Sequence, residues 1–519
     1  MGTTNKAPSP AAVEGPCNGW WHRICEVSDT MRQKGIVRVL GMAFGFLLLT
    51  MCEVAGQSYH DKVLYPERLR DDVELLRSAI HEAHPDPYRY HTKAELDAIF
   101  DQVRDSITRT MSVVEFEQAL VPIFRGVGDA HCYADRPPSV VNALDREASL
   151  LPLQVRILPE GVFVEEELKG FRSIPVGSRV VSINGNPIEA IIERLMATVV
   201  CDGANRSYAE RVVEREFNVR YNLYVEQSST YKVAFVGPDK LPGERTVFAM
   251  TGEQITSTRK PKGTGLLPWG STWHADHDVL WVNMRTLDSD SLAQADQRPD
   301  RFLQAMLSEA QKSKVRTLVI DLRGAGGREL AMAELVFSSI AKTPFKVLDG
   351  MVVRSIAPPA PRASVAVPEE FYATTNSRFL LAGQGDYRLP ETDSRLSEPL
   401  PMTKAFSGKL YVLCDGYTRD AAGALVMMVR RTKRGRVVGE ETGSNAFGFT
   451  GGPRWTITAP GSGLRFQVPL LKYIPAGRGE GPMDRGEQPN HQAYQTAAGV
   501  VRGQDRIRSS LLEMIKELE

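Results

Sequence analysis

The sequence lacks an excess of either charge, a dense set of cysteines and an apolar run long enough to cross a bilayer. Its 519 residues include 63 Lys and Arg against 63 Asp and Glu, so the formal net charge is zero. Binding nucleic acid by bulk charge needs a basic excess, so this balance excludes that class of protein. The hydrophobic share of 42 % excludes a disordered chain. At ~150 residues per domain, the length predicts about three domains.

The cysteines are too few for a disulfide scaffold. Cys132, Cys201 and Cys414 are spaced too widely for a CxxC redox site or a zinc site. The HEAH stretch, with His81 and His84, also departs from the zinc motif HExxH, whose histidines share one helix face. We therefore predict neither a metal nor a cofactor, and we interpret both histidines as structural.

The longest apolar run, residues 39–51, is shorter than the ~20 residues that a membrane-spanning helix needs. Basic residues precede this run, and Val54 and Gly56 suit the −3 and −1 positions of a cleavage site. This layout predicts a signal peptide at 31–56 and an exported protein, located in the periplasm, the cell envelope or the extracellular space.

The stretch before the signal peptide, residues 1–30, is interpreted as an over-extended N-terminus, with translation starting at Met31. Alternatively, residues 1–30 form a cytoplasmic tail, and the signal peptide is not cleaved. The uncleaved signal would then anchor the protein in a membrane. A lipoprotein attached through Cys52 is disfavoured, because Met51 is bulky where a small residue is expected.

The remaining chain divides into three regions. Residues 57–140 are predicted to be helical, with apolar residues at helical spacing in 67–84 and Glu115 at capping-box spacing from Ser112. Residues 150–250 predict a small β-rich domain, because alternating runs are separated by Pro-Glu-Gly and Asn-Gly turns.

The third region, residues 265–519, alternates strands and helices, which predicts an α/β domain with a mostly parallel sheet. The apolar run TLVIDL at 317–322 fits a strand buried on both faces. Residues 349–407 are rich in proline and polar side chains and predict a long insertion, of the kind that closes over a site or binds a ligand.

Two strand ends of this region carry candidate site residues, because ligands of open α/β sheets bind at the carboxyl ends of strands. The first is DLRGAGG, where the amides of Gly326 and Gly327 suit an oxyanion hole or simply a tight turn. This loop fits neither the GxGxxG nor the Walker pattern. The second is CDGYTRDAAG, where Asp420 stands at the start of a helix and suits an N-cap.

These segments, taken in order, resemble the tail-specific (C-terminal-processing) serine proteases, and most of all the branch related to the tricorn core. The landmarks include GVGDAHCYA (126–134), VIDLRGAGG (319–327) and GPMDRGEQPNH (481–491). The resemblance implies a PDZ-like domain at 150–250 and polypeptides or peptide C-termini as partners.

The resemblance also implies roles for individual residues. His131 in GDAH matches the family's general base, a role that suits a histidine near neutral pH. Gly326 and Gly327 match the oxyanion-hole glycines, although Arg328 replaces the glycine that follows them. Asp484 matches an acidic residue that supports the active site, with Asp in place of the usual Glu.

Asp420 stands where the family has its serine nucleophile, in Gly-Tyr-Thr-Arg-Asp-Ala-Ala against Gly-x-Thr-Phe-Ser-Ala-Ala. A carboxylate is a poor nucleophile for an amide, and it brings negative charge to a pocket meant for an oxyanion. The segment after VVGEETG contains no lysine, so the family's lysine-base variant is not restored.

Two main functional classes therefore remain open. The favoured one is an inactive relative that binds unfolded or C-terminal peptides by adding a strand to a sheet. The alternative is an active serine-type peptidase or hydrolase with a relocated nucleophile, for which the candidates are Thr418, Ser444 and Cys414. A further alternative is hydrolysis of an activated ester or a sugar by Asp420 with His131.

Overall fold

A computed structural model describes residues 63–168, 173–258, 267–358, 364–383 and 385–517. The predicted signal peptide at 31–56 and the over-extended N-terminus at 1–30 lie outside the described residues. Within the described ranges, every helix is too short or too polar to cross a bilayer.

Helices open the described chain, as their apolar spacing predicted: α1 (Pro66–Ala83), α2 (Lys93–Ser106) and α3 (Val113–Val127). The capping box of Ser112 and Glu115 at the start of α3 is confirmed. Gly128 ends α3 in the left-handed region, at φ +66°. This turn reverses the chain and places Asp129 and His131 directly beyond the helix. Two short elements follow, β1 (Tyr133–Asp135) and α4 (Pro138–Glu147).

The β-rich region is a six-stranded antiparallel sheet in the order β2-β3-β4-β6-β7, with β5 beside β4. Its strands are β2 (Leu153–Leu158), β3 (Gly161–Glu167), β4 (Arg179–Ile183), β5 (Asn186–Pro187), β6 (Thr230–Val236) and β7 (Pro242–Phe248). The associated helices are α5 (Ile188–Met196), α6 (Arg206–Tyr224) and α7 (Gly252–Thr258). Helix α6 packs against β2 and shares one apolar core with the sheet. The hairpin predicted around Pro-Glu-Gly is confirmed as β2–β3.

The α/β region contains a six-stranded sheet in the order β19-β16-β15-β10-β9-β8, parallel except at β8. Its strands are β8 (Trp269–His274), β9 (Val279–Met284), β10 (Thr317–Asp321), β15 (Lys409–Cys414), β16 (Arg436–Gly439) and β19 (His491–Gln492). Its helices are α8 (Ser289–Gln294), α9 (Pro299–Lys312), α10 (Leu330–Ser338), α12 (Asp420–Arg431), α13 (Ala497–Arg502) and α14 (Arg506–Glu517). The predicted mostly parallel α/β sheet is confirmed. Helices α10 and α12 pack side by side, so the loops before them meet at one edge of the sheet.

A third, antiparallel sheet runs β12-β17-β18-β11-β14-β13, with β1 also paired to β18. Its other strands are β11 (Leu348–Val353), β12 (Val365–Ala366), β13 (Leu380–Ala382), β14 (Asp386–Arg388), β17 (Phe449–Thr458) and β18 (Arg465–Pro475), with α11 (Glu369–Thr375) between β12 and β13. The segment predicted as an insertion, 349–407, therefore supplies strands to this sheet. The N-terminal helices and the β17–β18 hairpin share one buried core, in which Leu69 and Phe116 lie with Trp455 and Phe466.

Candidate active site

Asp420 is the first residue of α12, at the carboxyl end of β15. Its φ of +56° lies in the left-handed region, which costs energy in a residue with a side chain and is found mainly where the surrounding structure holds a functional group in place. The backbone N–H of Asp420 donates to Oγ of Ser444 at 2.6 Å. Within the described residues the carboxylate accepts no helix amide, so it does not act as the N-cap. It turns towards His131.

His131 lies in the turn after α3 and faces Asp420. Its Nε2 is 3.0 Å from Oδ1 of Asp420, although the two atoms are poorly aligned for a hydrogen bond. The side chains are 14 % and 18 % exposed, so the ion pair is largely withdrawn from water. The predicted base and the residue predicted to stand at the nucleophile position are therefore in direct contact.

Asp129 holds His131 from the other side. One of its oxygens, Oδ1, accepts the backbone N–H of His131 at 2.8 Å and lies 3.5 Å from Nδ1 of the ring. The other, Oδ2, accepts from Nε2 of His84 at 2.9 Å, and the Thr450 hydroxyl donates at 2.6 Å. His84 is thus a buried histidine that holds the Asp129 carboxylate in place, and this carboxylate in turn contacts His131. His81 hydrogen-bonds elsewhere, between α1 and α2.

The charges at this site are strongly coupled. Burial lowers the pKa of His131, but the carboxylates of Asp420 and Asp129 outweigh burial and raise the pKa to about 10. Burial likewise favours protonated Asp420, yet the His131 cation holds the pKa of that carboxyl below its usual value. The pKa of Asp129 is also held well below its usual range, against burial, by His131 and His84. Near neutral pH the site therefore rests as a carboxylate–imidazolium pair, Asp420 with His131.

The glycine loop between β10 and α10 lies beside this pair. A Cβ placed on Gly326 would be 3.8 Å from Oδ2 of Asp420. The carbonyl of Gly327 accepts the N–H of Ala421 at 3.1 Å, which ties the loop to the first turn of α12. Within the described part of the chain, the N–H groups of Gly326 and Gly327 donate no hydrogen bond. Unpaired N–H groups in a loop beside Asp420 suit an oxyanion hole.

Asp484 lies apart from the carboxylate–imidazolium pair. Its carbonyl accepts the N–H of Ala204 at 2.9 Å, in the loop between α5 and α6. No hydrogen bond or ion pair links its carboxylate to His131 or Asp420 in the described residues. The structure therefore brings His131, Asp420 and the two glycines together and leaves Asp484 outside this group.

Asp202, in the same loop, is a further buried acid that the sequence did not single out. Its carboxylate, with Asp129 and His131, places three possible ligand atoms within 4.8 Å of one another. Both Asp202 oxygens already accept backbone N–H groups, from Ala130 at 2.9 Å and Asn445 at 3.1 Å. These bonds anchor the turn that carries His131, and burial together with the charge of Asp129 raises the pKa of Asp202. A cation would have to compete with these amides.

The carboxylate–imidazolium pair opens into a cavity of about 550 Å³, here called the cleft, between the helical, β-rich and α/β regions. Apolar side chains such as Phe124, Val199 and Leu330 line part of it. Arg419, where the family pattern has Phe, places Nε 3.6 Å from Oδ2 of Asp420. Its guanidinium lies over the ring of Tyr417, at 5.5 Å from the centroid. The cleft is thus both aromatic and charged near Asp420.

Residues 290–480, which span the glycine loop and Asp420, match the family described as Peptidase family S41. This stretch belongs to peptidase family S41. The resemblance to tail-specific proteases is thereby confirmed. A comparison of the sequence with curated proteins gives no match.

Solved structures extend the S41 fold over most of the chain. A crystal structure of a CPAF mutant is 12 % identical with a TM-score of 0.61, and covers 87 % of this chain and 97 % of its own. Mature CPAF complexed with lactacystin is 13 % identical with a TM-score of 0.59, and covers 87 % of this chain and 98 % of its own. At this level of sequence identity, the structural similarity is evidence for a shared fold alone.

The hydroxyls and the thiol predicted as alternative nucleophiles are held in structural contacts. Thr418 is buried, and its hydroxyl donates to the carbonyl of Leu322 at 2.9 Å. Ser444 is buried and accepts the N–H of Asp420. Cys414 is buried against the carbonyl of Glu440, and burial raises the pKa of its thiol well above the usual value. None of the three candidates has the exposure that an attacking group needs.

Proposed function

We propose that this protein is an exported S41-fold protein that binds polypeptide in its cleft without hydrolysing peptide bonds. The observation that carries the proposal is the contact between Asp420, at the nucleophile position, and Nε2 of His131 at 3.0 Å. Peptidases act on polypeptide chains, and an S41 domain forms one wall of this cleft. Binding needs the walls of the cleft, whereas hydrolysis also needs a nucleophile and a base.

The nucleophile step fails on chemical grounds. Attack of a carboxylate on a peptide carbonyl would have to expel an amine and leave an anhydride, which is a far less stable product than the amide. A serine or cysteine avoids this outcome by forming an ester or thioester. Asp420 therefore cannot replace the hydroxyl that S41 chemistry expects at this position.

The base step fails for an electrostatic reason. A general base must be unprotonated at the working pH, with a pKa near that pH. Asp420 contributes to a His131 pKa of about 10, so at neutral pH the ring already carries the proton that it would have to accept. The same negative carboxylate lies beside Gly326 and opposes an oxyanion there.

The test compares the wild-type protein with Asp420→Ser and Asp420→Ala. Each is incubated with unfolded casein and, separately, with a serine-directed fluorophosphonate. We expect no cleavage and no labelling of the wild type. Asp420→Ser should gain labelling at position 420, because it restores a hydroxyl and frees His131. Asp420→Ala frees His131 without adding a nucleophile, so it should stay unlabelled.

Binding is measured on the same samples by fluorescence anisotropy with labelled, unfolded casein peptides. The proposal expects the wild type to bind peptides that it leaves intact. Labelling or cleavage by the wild type would instead support a peptidase with a relocated nucleophile. If the wild type does not bind the peptides, the proposal that the cleft binds polypeptide is wrong. Export is tested separately, since N-terminal sequencing of the secreted protein should begin at Gln57.

A further inference from the structure

The Asp420 carboxylate is short of hydrogen-bond donors. Its Oδ1 is buried and, within the described residues, has no donor in hydrogen-bonding geometry. The nearest cation besides His131 is the Arg419 guanidinium, with Nε 3.6 Å from Oδ2. Leaving a buried carboxylate oxygen unsatisfied is costly, and such a group in a folded protein calls for a functional explanation. The strained φ of +56° holds this group at the wall of the cleft.

The resting pair combines a nucleophile with an acid. Asp420 supplies a carboxylate, and the facing ring nitrogen of His131 supplies a proton 3.0 Å away. An amide cannot use this combination, for the reasons given above. An epoxide can, because its strained ring opens by attack at a saturated carbon while the ring oxygen accepts a proton. Carboxylates form covalent intermediates by this kind of displacement.

We infer that Asp420 and His131 hydrolyse epoxides in the cleft through an ester on Asp420. In the first step an Asp420 oxygen bonds to a ring carbon, and the bond from that carbon to the ring oxygen breaks. The released oxygen takes the proton from Nε2 of His131. The products of this step are a hydroxyalkyl ester on Asp420 and a neutral imidazole, with no change in total charge.

The second step returns the site to its resting state with one water molecule. Forming the ester removes the charge of Asp420, so neutral His131, still held by Asp129, can take a proton from water. The hydroxide adds to the ester carbonyl, and the tetrahedral oxyanion forms beside the loop of Gly326 and Gly327, whose N–H groups donate no hydrogen bond within the described residues. Collapse breaks the bond to the alkyl oxygen, which takes the proton of the new carboxylic acid. The sum is epoxide plus water giving a diol.

The cleft suits a substrate of this class. Its volume of about 550 Å³ lies within the usual range of small-molecule sites, about 300–1,000 Å³. Phe124, Val199 and Leu330 offer apolar surface, and Tyr417 adds an aromatic ring near the pair. An epoxide that carries an aryl or alkyl group matches this lining. The inference does not depend on polypeptide binding.

The first experiment uses phenyl glycidyl ether with the full protein and three variants. Diol is quantified by chromatography, and adducts by intact mass and peptide mapping. Wild type and Asp105→Asn, a change at an exposed acid on α2, should form diol at equal rates. Asp420→Asn should lose the activity by about 100-fold or more, because the amide is not a nucleophile. His131→Gln should also lose diol formation, because it removes the proton donor of the first step and the base of the second. Wild type quenched in acid during turnover should carry its adduct on the peptide that contains Asp420.

A second measurement uses the wild type alone, so that it is independent of how the variants fold. A single turnover in ¹⁸O-labelled water should place ¹⁸O in the Asp420 carboxylate and none in the first diol formed. Label in the first diol with none in Asp420 would overturn the ester route. The inference also fails if the wild type forms no diol, if Asp420→Asn retains the wild-type rate, or if the adduct lies on another residue.

Discussion

Removing the charge of Asp420 should return His131 to the role of a base, and Asp420→Asn makes this change with almost no change in shape. The two charged atoms lie 3.0 Å apart in a largely buried site. At an effective dielectric constant of about 20, their attraction is about 5.5 kcal/mol. Since 1.36 kcal/mol corresponds to one pKa unit, loss of this attraction should lower the pKa of His131 by about 4.

The pKa of His131 is raised to about 10 in the wild type, so the variant should titrate near pH 6. The remaining influences oppose each other, because burial lowers this pKa while the charge of Asp129 raises it. The prediction is therefore a histidine that is cationic at pH 8 in the wild type and neutral at pH 8 in Asp420→Asn.

The assay is an NMR titration of the histidine ring resonances in both proteins, with His131→Gln used to assign the His131 signals. A His131 pKa that stays above about 9 in Asp420→Asn would refute the reasoning. It would mean that Asp420 does not hold the proton on the ring, and the electrostatic case against peptidase activity would fall with it.

Three further predictions concern stability. The carboxylate–imidazolium pair should stabilise the wild type relative to Asp420→Asn mainly between pH 4 and 10. Because the pKa of His131 is raised, the stabilisation is lost as pH rises through about 10. Because the pKa of Asp420 is lowered, the stabilisation is also lost as pH falls through the acidic range. Urea unfolding midpoints of both proteins, measured across this pH range, test both losses. His84→Ala should cost about 1–3 kcal/mol of unfolding free energy in urea, because it leaves a buried carboxylate oxygen without its ring donor. Gly327→Ala should cost about 1–3 kcal/mol, because its Cβ would clash with the backbone of Leu287, whereas Gly326→Ala has room for a methyl group and should melt near the wild-type temperature.

Much of the architecture follows from local patterns. Apolar residues at helical spacing predicted α1, α2 and α3, and a serine three residues before a glutamate predicted the start of α3. The run TLVIDL predicted β10, since a strand covered on both faces needs no polar side. These features depend on residues only a few positions apart, so a single sequence contains all the information that they need.

The long insertion predicted at 349–407 contains strands that local sequence patterns did not predict. Strands β11 and β12 form because β18 and β17 provide partners from a distant part of the chain, whereas β13 and β14 are three residues each and pair within the segment. A strand of two or three residues has no periodicity of its own to detect. The pairing that makes it a strand exists only in the folded protein.

The sequence by itself determined which groups stand at the candidate site: a histidine in GDAH, two loop glycines, and an aspartate where a serine is expected. The tertiary structure alone decided how they act on one another. His84 reaches Asp129 across 45 positions and Thr450 reaches it across 321, while Asp420 comes within 3.0 Å of His131. The electrostatic energy of two charges depends on their separation in space and on their burial, and the chain acquires both only when it folds. The identity of Asp420 predicts that a nucleophile is missing, but only the fold shows that its carboxylate lies beside the predicted base.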